Sequence, residues 1–195
     1  MPNRDIVTTE ELNEDIDKII KTNDHEEKSK AKSLISFIIE VVIWCIVIVV
    51  GINVFFRFFK FPEVHGSSME PTYHDGEVLF AKVTTNVTHN DIVVVWAEEF
   101  DEYIIKRVIG VGGDHIEIKD GVLKRNGEII QEDYLNEPSW GEGLDINVDV
   151  PAGTIYVMGD NRNHSADSRN IGCISVDEIY GKVLKKANWA RHLIH

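Results

Sequence analysis

Two adjacent serines, Ser67 and Ser68, lie in the stretch VHGSSMEPTYHDG, where Gly66 and Pro71 restrict the backbone. Glycine, serine and proline are ordinary turn residues, so a plain turn is one interpretation. The other is that one serine is a nucleophile, which needs a base to remove its hydroxyl proton. The sequence has no G-x-S-x-G motif, and no histidine motif of comparable context could supply the base.

Lys106, in the segment YIIKRVIG, is a candidate for that base. If this segment is a strand, Lys106 shares a face with Ile104 and Val108. Burial of that face would disfavour the ammonium and lower its pKa, and a neutral lysine amine can act as a general base. A lysine that reaches water from a sheet edge is the commoner arrangement. Ser–Lys pairs are, however, a known variant of serine-protease chemistry.

An apolar segment precedes these residues, from 33 to 59, and it carries no charge between Val41 and Phe56. It is long enough to cross the hydrocarbon core of a bilayer as a helix. Thirty-two residues precede it and no small-residue cleavage site follows, so we predict an uncleaved anchor instead of a removed signal peptide. A buried core helix is disfavoured because the segment is apolar on every face.

The lysines near this segment predict its orientation. Only Arg57 and Lys60 lie shortly after the apolar run, whereas five lysines lie before it: Lys18, Lys21, Lys28, Lys30 and Lys32. The positive-inside rule places the N-terminus in the cytoplasm and the following domain outside. We therefore predict a cytoplasmic tail (1–32), a transmembrane anchor (33–59) and an extracytoplasmic catalytic domain (60–195).

The bulk composition limits the possible functions of the 195-residue chain. Its formal net charge of −13 and the lack of a basic run argue against nucleic-acid binding. Cys45 falls in the apolar run and Cys173 lies far downstream, so no intrachain disulfide is expected. The histidines show no zinc-ligand spacing, and we expect neither a metal nor a cofactor.

The residues after 60 have the pattern of a mainly β domain. Short runs rich in β-branched and aromatic residues alternate with turn residues at 77–83, 91–97, 103–111, 154–160 and 174–186. Asp120-Gly121 and Asn126-Gly127 are strong hairpin signals, which predicts a hairpin-rich insertion at about 115–150. In the tail, Thr8 and Glu11 form a capping-box pattern, and either a short helix or a loosely ordered segment fits.

Several of these stretches occur together and in order: GSSMEPT, then DIVVV, YIIKRVIGVGGD and MGDNRNHSADSR, all behind one apolar segment. In this set and order the chain resembles the bacterial type I signal peptidases, and its single span resembles the Gram-positive branch. The resemblance covers about residues 35 to 185. It implies a mainly β domain of the signal-peptidase type, in a serine endopeptidase that removes signal peptides from exported preproteins after small residues at −1 and −3.

The resemblance also implies roles for individual residues. Ser68 matches the nucleophile because it directly precedes Met69-x-Pro71, and Lys106 matches the general base. Ser165 matches a serine that orients this lysine through a hydrogen bond. The other matched residues frame or brace the site: Gly159, Asp160, Asn161 and Arg162 in one loop, and Asp167 and Arg169 as an ion pair.

The oxyanion hole of the family implies the backbone N–H of Ser68 as a donor. Some relatives add a serine hydroxyl two residues before the nucleophile, where this chain has Gly66, so its second donor stays open. Further departures are Glu77, Asn163 and the Val111-Gly112 pair. For an extended substrate with small side chains, our candidates for the pocket walls are Met69, Tyr73, Leu79, Ile104 and Ile105.

By the same resemblance, the expected partners are signal-peptide-bearing preproteins and the lipid bilayer of a bacterial cell membrane, with the secretion translocase as a further candidate. Three other functions stay open. A cytosolic self-cleaving repressor shares the Ser–Lys chemistry, but the apolar segment and the missing DNA-binding region disfavour it. The others are a membrane-anchored binding protein with an inactive site, and a protease that matures one special substrate such as a pilin-like protein.

Overall fold

The computed structural model describes residues 9–135 and 140–193, and it divides into two compact units, 1–54 and 55–195. The first part of the chain forms one long helix, α1 (Thr9–Phe58). Its part from Lys32 to Phe58 is long and apolar enough to span a membrane. Thr8 of the capping-box pattern lies outside the described residues.

The apolar part of α1 keeps its large side chains exposed all round, including Phe37 (64%), Trp44 (61%) and Val49 (57%). A soluble protein would bury one face of such a helix, because exposed apolar surface is unfavourable in water. A helix that is apolar on every side suits a lipid environment instead.

In the described part of the second unit there are eleven strands, one short α-helix and three short 3-10 helices, which confirms the mainly β prediction. The strands are β1 (Phe59–Lys60), β2 (Leu79–Lys82), β3 (Ile92–Ala97), β4 (Glu102–Val111), β5 (His115–Lys119), β6 (Val122–Arg125), β7 (Glu128–Ile129), β8 (Asp145–Asp149), β9 (Thr154–Met158), β10 (Ile174–Ser175) and β11 (Ile179–Lys186). Helix α2 spans Ser168–Ile171.

The strands form two sheets. The seven-stranded sheet has the order β1-β2-β11-β3-β4-β9-β10, and every pairing in it is antiparallel. The four-stranded sheet, β7-β6-β5-β8, falls within the segment predicted to be rich in hairpins. Asp120 and Asn126 take positive φ in its turns, as the Asp-Gly and Asn-Gly signals predict.

Strand β4 carries Lys106, and nearly all of its residues beyond Tyr103 are buried. β3 pairs with β4 from Glu102 to Arg107, whereas β9 pairs with β4 only from Arg107 onward. Among the described residues, the β4 segment 102–106 therefore has a strand neighbour on one side only. The open side of this segment is a sheet edge next to Lys106.

Candidate active site

The turn that carries Ser68 is anchored in the core by Met69, and its backbone is constrained both before and after the serines. The Met69 side chain is completely buried, so it fixes the turn to the core. Before the serines, Gly66 has φ +77° and its N–H donates to Asp75 Oδ1 at 2.8 Å. That φ value favours glycine, which explains why this residue type precedes the serines. After them, the Glu70-Pro71 peptide bond is cis.

Lys106 reaches this turn from the middle of β4. Its Nζ lies 2.8 Å from Ser68 Oγ and 3.1 Å from the carbonyl oxygen of Ile105. The residue is 3% exposed, and its strand neighbours Ile104 and Val108 belong to the apolar core on that face. The structure therefore brings together the two residues that the sequence analysis paired, across 38 positions of the chain.

Burial lowers the pKa of Lys106 from its ordinary value near 10.5 to about 8. The low-dielectric surroundings penalise the ammonium more than the neutral amine. The charges of Asp167 and Glu102 act the other way, and Arg169 offsets part of their effect. A substantial fraction of Lys106 is consequently neutral in mildly alkaline solution, with a lone pair available for a proton.

Ser165 lies beside Ser68, but its hydroxyl is directed elsewhere. It donates to Asp167 Oδ2 at 2.7 Å. Within the described residues no hydrogen bond joins Ser165 to Lys106, so the expected contact is not formed here. The donation to Asp167 uses the one proton of the Ser165 hydroxyl and leaves its lone pairs unused.

Asp167 and Arg169 form the predicted ion pair at the start of α2. Arg169 Nε and Nη2 donate to the two carboxylate oxygens at 2.8 and 2.9 Å. The same carboxylate caps α2 and accepts from the N–H of Gly159 at 2.9 Å. Burial alone would raise the pKa of Asp167, but the hydrogen bonds and charge of Arg169 keep it below its usual range.

Gly159 allows the loop after β9 to pass directly against the turn that carries Ser68. A Cβ atom at this position would lie 2.2 Å from Ser165 Oγ and 2.5 Å from the Ser68 carbonyl oxygen. Both separations are far below van der Waals contact, so only glycine fits. Here the requirement is space, since Gly159 is not among the residues with positive φ.

The next loop residues contact both the turn and a second set of charges. The backbone N–H of Asn161 donates to the Ser68 carbonyl oxygen at 3.0 Å, and its side-chain amide donates to that of Ser67 at 3.1 Å. Asp160 is fully buried and pairs with Arg107 through two hydrogen bonds, at 2.7 and 2.6 Å. Burial would lower the pKa of Arg107, but Asp160 raises it above its ordinary value.

Sequence analysis missed several members of this charged network. Arg162, which was matched as a loop residue, pairs with Glu132, and the Tyr134 ring lies 4.0 Å from the guanidinium carbon of Arg107. Thr72 also donates its hydroxyl proton to Asp160. Arg107 could have been found because it directly follows Lys106. No spacing pattern points to Glu132 or Tyr134, which are remote in sequence.

A cleft of about 430 Å³ opens over Ser68 and Lys106. Three of the five predicted wall residues line it: Met69, Ile104 and Ile105. Tyr73 and Leu79 do not line this cleft. Both side chains are buried in an apolar cluster with Met69 and Ile105, since removal of apolar surface from water is favourable.

The chain also matches known proteins. The model of the signal peptidase family, peptidase S26, matches residues 34–187. The chain belongs to this family. Signal peptidase I T of Bacillus subtilis (strain 168) is 38% identical over 190 residues, covering 89% of this chain and 91% of that protein. Signal peptidase I of Bacillus licheniformis is 37% identical over 80% of this chain and 90% of that protein.

A third relative, signal peptidase IB of Staphylococcus aureus (strain COL), is 35% identical over 74% of this chain and 87% of its own length. Together with the family match, these relatives identify the chain as a hydrolase of the signal peptidase I type. Its activity is the removal of signal peptides, and its substrates are preproteins that carry them. The apolar helix before the β domain fits a membrane-anchored signal peptidase.

Proposed function

We propose that this signal peptidase cleaves with Ser68 as nucleophile and Lys106 as general base. The observation that carries the proposal is the 2.8 Å separation of Lys106 Nζ and Ser68 Oγ, together with the burial that lowers the pKa of Lys106 to about 8. The neutral amine takes the hydroxyl proton as Oγ attacks the scissile carbonyl. The resulting ammonium then supplies a proton to the leaving amine, and the same base activates water for deacylation.

Ser165, Asp167 and Arg169 support the base in this mechanism. The neutral Lys106 amine has two N–H groups and one lone pair. The lone pair faces Ser68 and one N–H donates to the Ile105 carbonyl, which leaves the second N–H for another acceptor. Ser165 Oγ keeps free lone pairs when it donates to Asp167, and we propose that it accepts this N–H in the substrate complex.

The open edge of β4 is the proposed docking site for the substrate. An extended peptide could pair with the backbone of residues 102–106 and place alternate side chains in the cleft. Ile104, Ile105 and Met69 would leave room only for small side chains at −1 and −3. We expect Ala-x-Ala-like sites to be cleaved and a phenylalanine at −1 to be rejected.

The membrane orientation follows from the lysines before the apolar helix. In this arrangement residues 60–195 lie outside the cytoplasm, and Ser68 follows the end of α1 at Phe58 by about ten residues. An aromatic cluster that includes Phe59, Phe61, Phe80 and the 68%-exposed Trp189 provides a surface for the lipid interface. Protease added to wall-stripped cells should digest the β domain and spare the tail.

Cleavage profiling of membrane preproteins tests the catalytic proposal. Purified full-length protein should cleave at Ala-x-Ala sites, and Ser68→Ala should be inactive while Ser67→Ala retains most activity. Substitution of phenylalanine at −1 of one substrate is the matched specificity control. An active Ser68→Ala variant would contradict the assignment of the nucleophile, and cleavage of only one special preprotein would narrow the substrate range.

A further inference from the structure

Asn161 is the only described residue that hydrogen-bonds both carbonyl groups flanking the Ser68 backbone. Its side-chain Nδ2 donates to the Ser67 carbonyl oxygen at 3.1 Å, and its backbone N–H donates to the Ser68 carbonyl oxygen at 3.0 Å. The Ser67 carbonyl also accepts from the backbone N–H of Glu70 at 3.1 Å, so Asn161 adds a side-chain donor to a hydrogen bond of the turn itself. Neither bond involves the reacting hydroxyl of Ser68, so a role in proton transfer does not explain them.

The bond to the Ser67 carbonyl has a consequence for the next N–H group. The Ser67 carbonyl and the Ser68 N–H belong to one planar trans peptide unit, so the direction of one fixes the direction of the other. A hydrogen bond accepted by the carbonyl also polarises the unit and makes its N–H a stronger donor. Among the described residues, the Ser68 N–H has no acceptor of its own.

His164 in turn holds the Asn161 side chain. Its Nδ1 lies 3.1 Å from Asn161 Oδ1, and its backbone N–H donates to the Asn161 carbonyl at 3.1 Å. The Ser67 carbonyl can only accept, so the amide nitrogen of Asn161 must face it and Oδ1 must face His164. His164 Nδ1 therefore carries the proton, and the side chains form a directed chain from His164 through Asn161 to Ser67.

We propose that Asn161, held by His164, is a positioning residue that orients the Ser67–Ser68 peptide so that its N–H points at the developing oxyanion. This inference rests on the proposed function of Ser68. Gly66 makes this orientation more important, because a site without a hydroxyl at that position depends more on the alignment of its backbone donor. An aligned oxyanion donor acts in the transition state and contributes little to substrate binding.

The decisive variants separate donation from shape. Asn161→Asp keeps the size of the side chain but replaces the donating NH₂ by an oxygen, so kcat should fall about 10- to 100-fold. KM should change less than about threefold, because the lost interaction belongs to the transition state. His164→Asn should retain activity, since its amide can still donate to Oδ1, whereas His164→Phe should lower kcat. Ser67→Ala keeps the carbonyl and is the matched control.

Two further measurements distinguish orientation from a general structural role. A peptide aldehyde that forms an oxyanion adduct with Ser68 should lose affinity in Asn161→Asp by about the factor lost in kcat, while an unreactive peptide of the same sequence binds unchanged. The ¹⁵N resonance of the Ser68 amide, which responds to hydrogen bonding at the preceding carbonyl, should shift in Asn161→Asp and in His164→Phe. His164 is exposed, so its variants are expected to fold even if Asn161→Asp does not.

The proposal is overturned if Asn161→Asp keeps its kcat, if only KM changes, or if the Ser68 resonance does not move. Equal kcat values for His164→Phe and His164→Asn would remove His164 from the chain. Failure of the catalytic proposal would appear differently, as wild-type cleavage that does not depend on Ser68. The resonance shift would still report on the peptide orientation in that case, because it does not require turnover.

Discussion

Lys106 and Arg107 are consecutive buried cations of β4, and they lie in opposite electrostatic surroundings. Arg107 has a dedicated carboxylate, Asp160, bonded through two hydrogen bonds, whereas Lys106 faces a serine hydroxyl and a carbonyl. The pKa of Arg107 is raised and that of Lys106 is lowered. A buried cation keeps its proton when it is paired and tends to lose it when it is not.

The comparison extends to the wider site. Two buried carboxylates near Lys106 each pair with an arginine: Asp160 with Arg107 and Asp167 with Arg169. The positive charge of Arg169 offsets part of the effect of Asp167 on Lys106. An unpaired carboxylate beside Lys106 would raise its pKa and favour the ammonium, so the pairing of Asp167 with Arg169 favours the neutral amine.

The largest expected effect is on catalysis at the unpaired cation. Lys106→Ala and Lys106→Arg should each lower kcat/KM by at least about 10⁴-fold, because no other group can take the proton and arginine stays charged. Rates on a short signal-peptide substrate would measure this, with Ser67→Ala as the control. Substantial activity in Lys106→Ala would remove Lys106 from the role of base.

The paired cation should instead dominate stability. Arg107→Met leaves the buried Asp160 carboxylate without its partner, and the free energy of unfolding should fall by about 3–5 kcal/mol. Urea unfolding of the full chain in detergent would measure the loss. Arg107→Met combined with Asp160→Leu should lose less than the sum of the single changes. Additive losses would show that the two side chains do not interact.

Removal of Lys106 should raise the free energy of unfolding, whereas removal of Arg107 lowers it. The lowered pKa of Lys106 corresponds to a burial cost of about 3 kcal/mol, so Lys106→Met should be more stable than wild type at pH 7 by up to that amount. The full cost is present below pH 8, where both states are protonated. It disappears as the pH rises from about 8 to about 10.5, because the folded state is then already neutral. A gain that does not change with pH would contradict this.

The pH dependence of activity should show how the Asp167–Arg169 ion pair affects the pKa of Lys106. In wild type, kcat/KM should rise with pH through an ionisation near 8, well below the ordinary lysine value. Arg169→Met removes a charge that lowers the pKa of Lys106 and leaves Asp167 unpaired, so this ionisation should move upward. The resulting loss of activity should be less than tenfold and largest at low pH. An unmoved ionisation would uncouple Arg169 from the base.

Exposed pairs outside the site should show the smallest effect. Lys124 and Glu117 are 3.8 Å apart on the four-stranded sheet, and their side chains are 42% and 37% exposed. Lys124→Ala should change the free energy of unfolding by no more than about 0.5 kcal/mol, since solvent and salt screen such pairs. The same urea experiment measures it, and a loss comparable to that of Arg107→Met would show that burial does not set the difference.

Sequence patterns alone predicted the apolar helix and the mainly β domain, and they indicated Ser68 and Lys106 as a candidate pair. These follow from local properties: length without charge, alternation along strands, and residue types at fixed spacing. Asp120-Gly121 and Asn126-Gly127 likewise fixed their turns, because few other pairs accept the required φ values. Each of these features depends on residues that are close in the chain.

The features that these patterns did not predict depend on residues that are distant in the chain. In the folded domain Tyr73 and Leu79 are buried in the core, the Ser165 hydroxyl donates to Asp167, and Arg162 pairs with Glu132. The sequence shows each polar group but not which partner will lie within 3 Å of it. Whether Lys106 is a base also depends on its burial, since only desolvation by the packed domain lowers its pKa to about 8.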